Sequence, residues 1–372
     1  MIPQHVYLHV PFCARRCVYC DFAIAVRRNV PVADFAESVR REIDIRFADL
    51  PKSEVRTIYL GGGTPSRLGG DGIAQVLETL AARWVPADGA EVTIEANPED
   101  VTIDTARAWQ KAGVTRVSLG VQSFSPVVLT WMHRTHDVPA VERAVAALRG
   151  AGIAQLSIDL IFALPDAVER DWDYDIEQAL LLSPDHISCY GLTFEDGTPL
   201  ARTRLRGETH EADDGRYATE FLQVDSTLAS AGFEHYEVSN YAKPGARSVH
   251  NSAYWSHVPY VGLGPSAHEF RHGVRRWNVR EYTAWVNAVA DRRDPGEGFE
   301  ELTNAQRALE SLFLGLRTKE GAARDVRDTE IVRSWEEEGW LLPSPDRLRL
   351  TPQGWLRMNA LITALTQHRS RY

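Results

Sequence analysis

Cysteine is scarce in this 372-residue chain: four residues, set unevenly. A disulfide scaffold needs more of them, distributed through a short secreted chain. No run of about 18 apolar residues occurs, so no membrane-spanning helix is expected; peripheral association with a membrane stays open. The opening stretch MIPQHVYLHVPF has neither a basic region nor a long apolar one, and reads as no secretory signal. Cytoplasm is the expected location. Positive charge is in deficit as well, with 41 Lys and Arg against 51 Asp and Glu and a formal net charge of −10. Such a chain has no global attraction for phosphate backbones, and nucleic acid is not an expected partner. Hydrophobic residues make up 44% and charged residues 25%, a globular balance that allows a sizeable core.

Short apolar runs alternate with amphipathic ones. Strands are predicted at His5–Val10, Arg56–Leu60, Glu91–Ala96, Arg116–Val121, Gln155–Phe162 and His186–Leu192. Helices are predicted at Val32–Ala48, Gly72–Trp84, Ile103–Lys111, Pro139–Arg149 and Glu169–Leu181. This alternation implies parallel βαβ units with right-handed crossovers, an α/β fold curling into a partial (β/α)₆ barrel. In such folds the C-terminal strand ends carry the chemistry. Gly- or Pro-marked turns lie there, at Gly61-Gly62-Gly63-Thr64-Pro65, Ala96-Asn97-Pro98 and Ala163-Leu164-Pro165. Past Leu192 the rhythm changes. The stretch from Arg202 to Arg216 is dense in charge, a helix is predicted over Asp213–Ala231, and Phe233–Tyr260 is rich in aromatics and histidine. Asp294-Pro295-Gly296-Glu297-Gly298 reads as a loop and a boundary. Beyond it, helices near Asn304–Arg317 and Asp328–Glu338 and a hairpin-like Arg347–Thr351 suggest a winged-helix-like unit serving for packing or docking. The expected division is 1–200 for the barrel, 201–298 for an extension, and 299–372 for the C-terminal domain.

Three of the cysteines stand at Cys13, Cys17 and Cys20, spaced CxxxCxxC directly after the first strand. Three thiolates on one short loop can hold three irons of a cubane cluster. The fourth iron then stays open to a small molecule with amine and carboxylate donors. The same trio could hold zinc with His9 or water as fourth ligand, although structural zinc sites favour paired CxxC motifs. The fourth cysteine, Cys189, lies within the sixth strand and reads as a small buried hydrophobe. Glu95, Gln122 and Asp159 interrupt apolar runs at strands three, four and five. Buried carboxylates need partners, which could be a ligand or an internal ion pair or cap.

The cysteine loop, with Tyr19 before its last cysteine, resembles the radical S-adenosylmethionine (SAM) superfamily over roughly residues 1–300. The resemblance implies a [4Fe–4S] cluster on Cys13, Cys17 and Cys20, with SAM on the open iron. It implies that Gly63 and Thr64 meet the methionyl amine, that Glu95, Gln122, Asp159 and Thr193 face the same pocket, and that Arg134 pairs with the methionyl carboxylate. It also brings Tyr7 towards the cofactor and Tyr19 over the cluster, near adenine.

The phrases YLHVPFC, YLGGGTPS, IEANPE, LGVQSF, IDLIFALP and YEVSNYA narrow the resemblance to the group containing oxygen-independent coproporphyrinogen III dehydrogenase. That enzyme carries a further cysteine where this chain has Phe22, and a longer N-terminal extension than the few residues before Tyr7. His250-Asn251-Ser252-Ala253-Tyr254-Trp255 instead fits HNxxYW, a pattern of the heme-chaperone branch. The implied function is heme binding and transfer to an acceptor protein, with porphyrinogen decarboxylation as the alternative. Imidazole can ligate heme iron, and Tyr and Trp offer flat faces to a macrocycle. His250, Asn251, Tyr254 and Trp255 are the expected heme contacts; His235, His257, His268 and His272 are further candidates for the iron. A packed aromatic loop with His250 hydrogen-bonded is the other reading of that segment.

Overall fold

The computed structural model describes residues 3–369. The chain forms two compact units that interleave along the sequence, one from Met1–Ala212 and Pro259–Glu301, the other from Asp213–Val258 and Leu302–Tyr372. The expected middle segment, 201–298, is thus shared between the two.

In the first unit the predicted strands form at β1 (His5–Val10), β2 (Ser53–Gly62), β3 (Trp84–Ala96), β4 (Arg116–Gln122), β5 (Gln155–Phe162) and β6 (His186–Gly191), joined by β7 (Val261–Leu263). Their order is β7-β1-β2-β3-β4-β5-β6, and each neighbouring pair is parallel. Helices α1 (Val32–Phe47), α2 (Gly69–Ala81), α3 (Ile103–Lys111), α4 (Pro126–Trp131), α5 (Val138–Gly150) and α6 (Trp172–Leu181) connect them. The unit is the α/β, partial-barrel type expected: strands such as β1 are buried almost throughout, as strands covered on both faces are. The helix starts follow local chemistry. Thr102 and Thr105 form a reciprocal cap on α3, and Asp137 accepts from the Ala140 amide at the start of α5, contacts worth about 1 kcal/mol each.

Strand β7 was not predicted, because what holds it lies far away in sequence. Glu42 on α1 is fully buried. It accepts from the Gly264 amide at 2.8 Å, Trp285 Nε1 at 2.9 Å and Asn278 Nδ2 at 2.6 Å, and it pairs with Arg46 at 2.5 Å. The expected loop at Asp294–Gly298 is a correction. Most of it is the strand Gly296–Glu301, antiparallel to Val274–Asn278. Its glycines mark close cover, not a turn: a Cβ at Gly296 or Gly298 would lie 2.6 Å from the Arg276 guanidinium or the Trp277 ring. Cys189 is buried in β6 as expected.

The second unit contains the helix Asp214–Ser230, the hairpin Glu234–Glu237 with Asn240–Ala242, and the helix Val249–Trp255. Its C-terminal part alternates the helix Asn304–Leu316, strand Ala322–Ala323, helix Thr329–Glu337 and strands Leu341–Leu342 and Arg347–Leu350 before a last helix, Met358–Arg369. The three strands pair around Arg347–Leu350, the winged-helix-like arrangement expected. Trp355 Nε1 donates to the Leu316 carbonyl at 2.9 Å, and His235 packs on the Trp355 ring with centroids 4.3 Å apart. Among the described residues no helix is long and apolar enough to cross a membrane.

Candidate functional site

The cysteine loop leaves β1 through a two-residue strand, Phe12–Cys13, which pairs with Ala25–Val26. Ala25 N donates to the Pro11 carbonyl at 2.7 Å and Arg27 N to that of Cys13 at 3.0 Å, so both ends of the loop are pinned. Cys13 is buried, while Cys17 and Cys20 are half-buried. Burial pushes the Cys13 thiol up, and pushes Cys20 up to about 11, with the neighbouring thiols adding to each. Such thiols hold their protons at neutral pH, so metal binding must displace them.

Hydrogen bonds tie this loop to the ends of β2, β3 and β4. Thr64, buried after β2, has its Oγ1 3.4 Å from Cys13 Sγ. Arg134 donates through Nη2 to Asn97 Oδ1 and to the Gly120 carbonyl, both at 2.7 Å, and its Nη1 lies 3.8 Å from Cys17 Sγ. Its Nε is buried with no acceptor among the described residues. The Cys17, Tyr19 and Glu99 side chains nearby raise its pKa further, despite burial. Tyr19 packs against the apolar cluster of Val128, Met132, Ile161, Leu164 and Val168, and burial drives its hydroxyl pKa upward.

The three glycines are demanded by crowding. Gly62 has φ +111°, and a Cβ on it would lie 2.5 Å from the His9 ring; one on Gly63 would lie 2.6 Å from the Pro11 carbonyl carbon. His9 cannot move aside. Its Nε2 donates to the Ala23 carbonyl at 2.8 Å, and its Nδ1 accepts from the Tyr7 hydroxyl at 3.0 Å. Burial lowers its pKa to about 4, so the ring is neutral with both nitrogens engaged.

Glu95 accepts from the Tyr59 hydroxyl and the Gly62 amide, each at 2.9 Å, and burial raises its pKa to about 7. Asp159 accepts from Ser118 Oγ at 2.9 Å and Ser157 Oγ at 3.3 Å; burial raises its pKa too, against those hydroxyls. Gln122 has φ +69°, at a break in the β4–β5 register. Behind it, buried Asp175 accepts from the Phe124 amide at 2.6 Å and from Ser123 Oγ at 2.8 Å. Thr193 is exposed, and its hydroxyl donates to the Gly191 carbonyl at 3.5 Å, so it is not drawn into this network. Asn97, Tyr59, Ser118 and Asp175 were not singled out from the sequence. Of these, Asn97 stands inside IEANPE and Tyr59 opens YLGGGTPS; Ser118 and Asp175 lie outside the quoted phrases.

The HNxxYW segment is a short helix in the second unit, capped by Ser248, which accepts from the Asn251 amide at 3.2 Å. His250 is buried, and its Nε2 lies 2.8 Å from the Tyr254 hydroxyl. Trp255 lines a cleft of about 440 Å³ together with Tyr236, Arg247, His257, Ser311 and Arg347. The Arg317 guanidinium lies 4.8 Å from the indole centroid, and the indole Nε1 is buried with no acceptor among the described residues. His235 and His257 belong to this unit; His268 and His272 belong to the first.

The sequence matches the radical SAM superfamily over residues 7–179. The heme chaperone HemW of Mycobacterium tuberculosis (strain CDC 1551 / Oshkosh) is 36% identical across 98% of this chain and 95% of its own length. The chain belongs to the HemW family. HemW of Escherichia coli (strain K12) is 34% identical, with 97% of each chain covered. Among solved structures, the E. coli coproporphyrinogen III oxidase HemN, described as a radical SAM enzyme, superposes with a TM-score of 0.82 over 97% of this chain and 89% of its own, at 18% identity. That likeness establishes a shared fold. At the position that separates the HemW reading from the dehydrogenase reading, Phe22 is 57% exposed.

Proposed function

We propose that this protein carries heme and passes it to an acceptor protein, with a [4Fe–4S] cluster and SAM in the first unit acting as a gate. The observation that carries the reading is the HNxxYW helix, whose Trp255 lines a cleft in the second unit. The cleft falls in the size range of small-molecule and cofactor sites. The donor set of the first unit suits the cluster: three cysteines on a pinned loop, with a guanidinium beside Cys17. When bound, the cluster would supply an open iron for SAM and an electron to reduce it.

Around it the chain has definite tasks. Cys13, Cys17 and Cys20 would give up protons to bind iron. Arg134 would offset the resulting negative charge, and its unmatched Nε offers a donor towards the methionyl carboxylate. Gly63 and Thr64 would bring backbone close to the methionyl amine. Glu95, Gln122 and Asp159 would accept from or donate to the ribose, with Tyr7 and Tyr19 flanking the cofactor. Thr193 is the weakest member of the set, given its outward position. His250, Asn251 and Tyr254 would shape the heme-binding helix, and Trp255 would face the macrocycle.

The test is an anaerobic heme titration of the reconstituted protein, with and without SAM, alongside an assay with reductant, SAM and coproporphyrinogen III. Saturable binding of one heme per chain and no porphyrinogen product is the expected result. Product above trace rate would replace the carrier reading with the decarboxylase, and absence of heme binding would remove it.

A further inference from the structure

We propose that the exposed rim of the cysteine loop is the docking surface for an acidic electron-carrier protein, with Arg15, Arg16, Arg27, Arg28 and Arg280 steering the encounter and Phe22 and Val26 as its apolar contacts. The inference rests on the cluster reading of the first unit and names the kind of partner that would reduce it.

This rim is an exception within the chain. The protein carries a formal net charge of −10, yet residues 11–31 hold four arginines and a single acid, Asp21. The fold gathers the two arginine pairs. Phe12–Cys13 pairs with Ala25–Val26, and Arg27 N donates to the Cys13 carbonyl at 3.0 Å. Arg27 and Arg28 therefore leave the ladder beside the start of the loop that carries Arg15 and Arg16. Arg280, remote in sequence, adds a fifth guanidinium by donating to the Asp21 carbonyl. All five are exposed, and among the described residues none of them is ion-paired. Exposed arginines elsewhere are met by carboxylates: Arg40 by Glu37 and Asp44, Arg206 by Glu208, Arg293 by Asp291. Arg67, which donates to the Arg27 and Arg28 carbonyls, lies 4.0 Å from Asp100 and is not counted with the five.

Two apolar side chains stand out in the same stretch, Phe22 at 57% exposure and Val26 at 46%. An aromatic among arginines is the composition that protein interfaces favour, and a patch of this extent suits the small interface of a transient electron-transfer encounter. The chain's net negative charge repels an acidic partner everywhere else, so a basic rim both attracts and orients it. An anionic lipid surface would feel the same charges. The redox partner is favoured because Cys13, Cys17 and Cys20 lie within the patch itself, so a carrier docked there delivers its electron beside the cluster ligands. The step is a single electron: the reduced carrier loses it and is oxidised, the cluster gains it and is reduced, and no bond or proton changes place.

Anaerobic stopped-flow mixing of the reconstituted full chain with an acidic flavodoxin in its hydroquinone form tests this, read by the appearance of the flavin semiquinone. The wild-type rate constant should fall as salt is added. Arg15→Glu with Arg16→Glu, and separately Arg27→Glu with Arg28→Glu, should each lower it at least about 10-fold at low ionic strength. The difference should close at about 1 M salt, where charges are screened within about 3 Å. Phe22→Ser should slow reduction at every salt concentration. Reduced methyl viologen, a small cation that needs no docking face, should reduce the clusters of wild type and charge-reversed variants, the variants at no lower rate. Wild-type flavodoxin kinetics in both charge-reversed pairs would overturn the proposal. Equal slowing with methyl viologen would also overturn it, by assigning the arginines to the cluster itself. So would variants that lose only binding to phosphatidylglycerol vesicles, which would make the rim a membrane contact. If methyl viologen finds no reducible cluster in wild type, the cluster reading falls and this inference with it, while the heme titration judges the carrier reading separately.

Discussion

Replacing Gly62 with alanine isolates the contact that positions the glycine-rich strand end over the cysteine loop. Two effects add. The backbone there has φ +111°, where a Cβ is strained by about 1–3 kcal/mol. The new methyl would also lie 2.5 Å from the ring of His9, which hydrogen bonds to Tyr7 and Ala23 hold on both sides. Overpacking against a fixed group costs about 1–3 kcal/mol. Gly69 provides the control. It too has positive φ, +72°, but nothing lies within 4 Å of its added Cβ, so Gly69→Ala should show the backbone effect alone. The expected difference between the two variants is about 2 kcal/mol, measured as a shift in urea midpoint of the metal-free protein followed by circular dichroism. Adding His9→Ala to Gly62→Ala should recover at least about 1 kcal/mol in a double-mutant cycle. Equal destabilisation by the two glycine variants, or strict additivity in the cycle, would refute the account.

Four further outcomes follow from the same contacts. Glu95→Gln should stabilise the metal-free protein at pH 8.5 and have little effect at pH 4.5. The Glu95 carboxyl has its pKa raised to about 7, so its contribution is complete below its ordinary value and is lost as pH rises through 7. The difference is at most about 3 kcal/mol, and a pH-independent difference in thermal midpoint would contradict it. Asp175→Ala should destabilise by about 1–3 kcal/mol, because the buried Phe124 amide loses its acceptor; a loss below about 0.5 kcal/mol in urea unfolding would argue against that. Cys17→Ser should abolish the broad visible absorption of the anaerobically reconstituted protein, and four irons per chain retained would refute the ligand set. Arg134→Ala should weaken SAM binding and leave the cluster in place; unchanged affinity in equilibrium dialysis would dismiss its carboxylate role.

The parts of the fold legible in the sequence were those governed by local pattern. His5–Val10, Gln155–Phe162 and Ile103–Lys111 form within the predicted limits, because each is an uninterrupted run of one periodicity between clear stops. Strand β3 begins seven residues earlier than expected, at Trp84, since its first part pairs with Ser53–Val55 of β2 and carries little apolar pattern of its own. The short β7 depends on Glu42, more than two hundred residues away, and no local signal marks it. The site divides in the same manner. Cys13, Cys17 and Cys20 are visible because their spacing is itself the chemistry. Asn97 and Asp175 are not, because their importance lies in whom they meet: Arg134 for one, the chain after Gln122 for the other. His257 has no motif around it, and the sequence offers it only beside His235, His268 and His272; its place in the cleft is a tertiary fact.

The interleaving of the two units has a consequence for how the chain can be made and cut. During synthesis, β1 is among the first segments to leave the ribosome, yet the strand that covers its outer edge arrives only after residue 260. Until then β1 exposes unpaired backbone groups, the kind of edge that invites pairing with another chain. Truncation after residue 212 would leave that edge bare permanently. Removal of residues 302–372 would strand the helix Val249–Trp255 on a fragment of its unit. A separately expressed second unit would therefore require fusing 213–258 to 302–372, with a new connection in place of the excised segment.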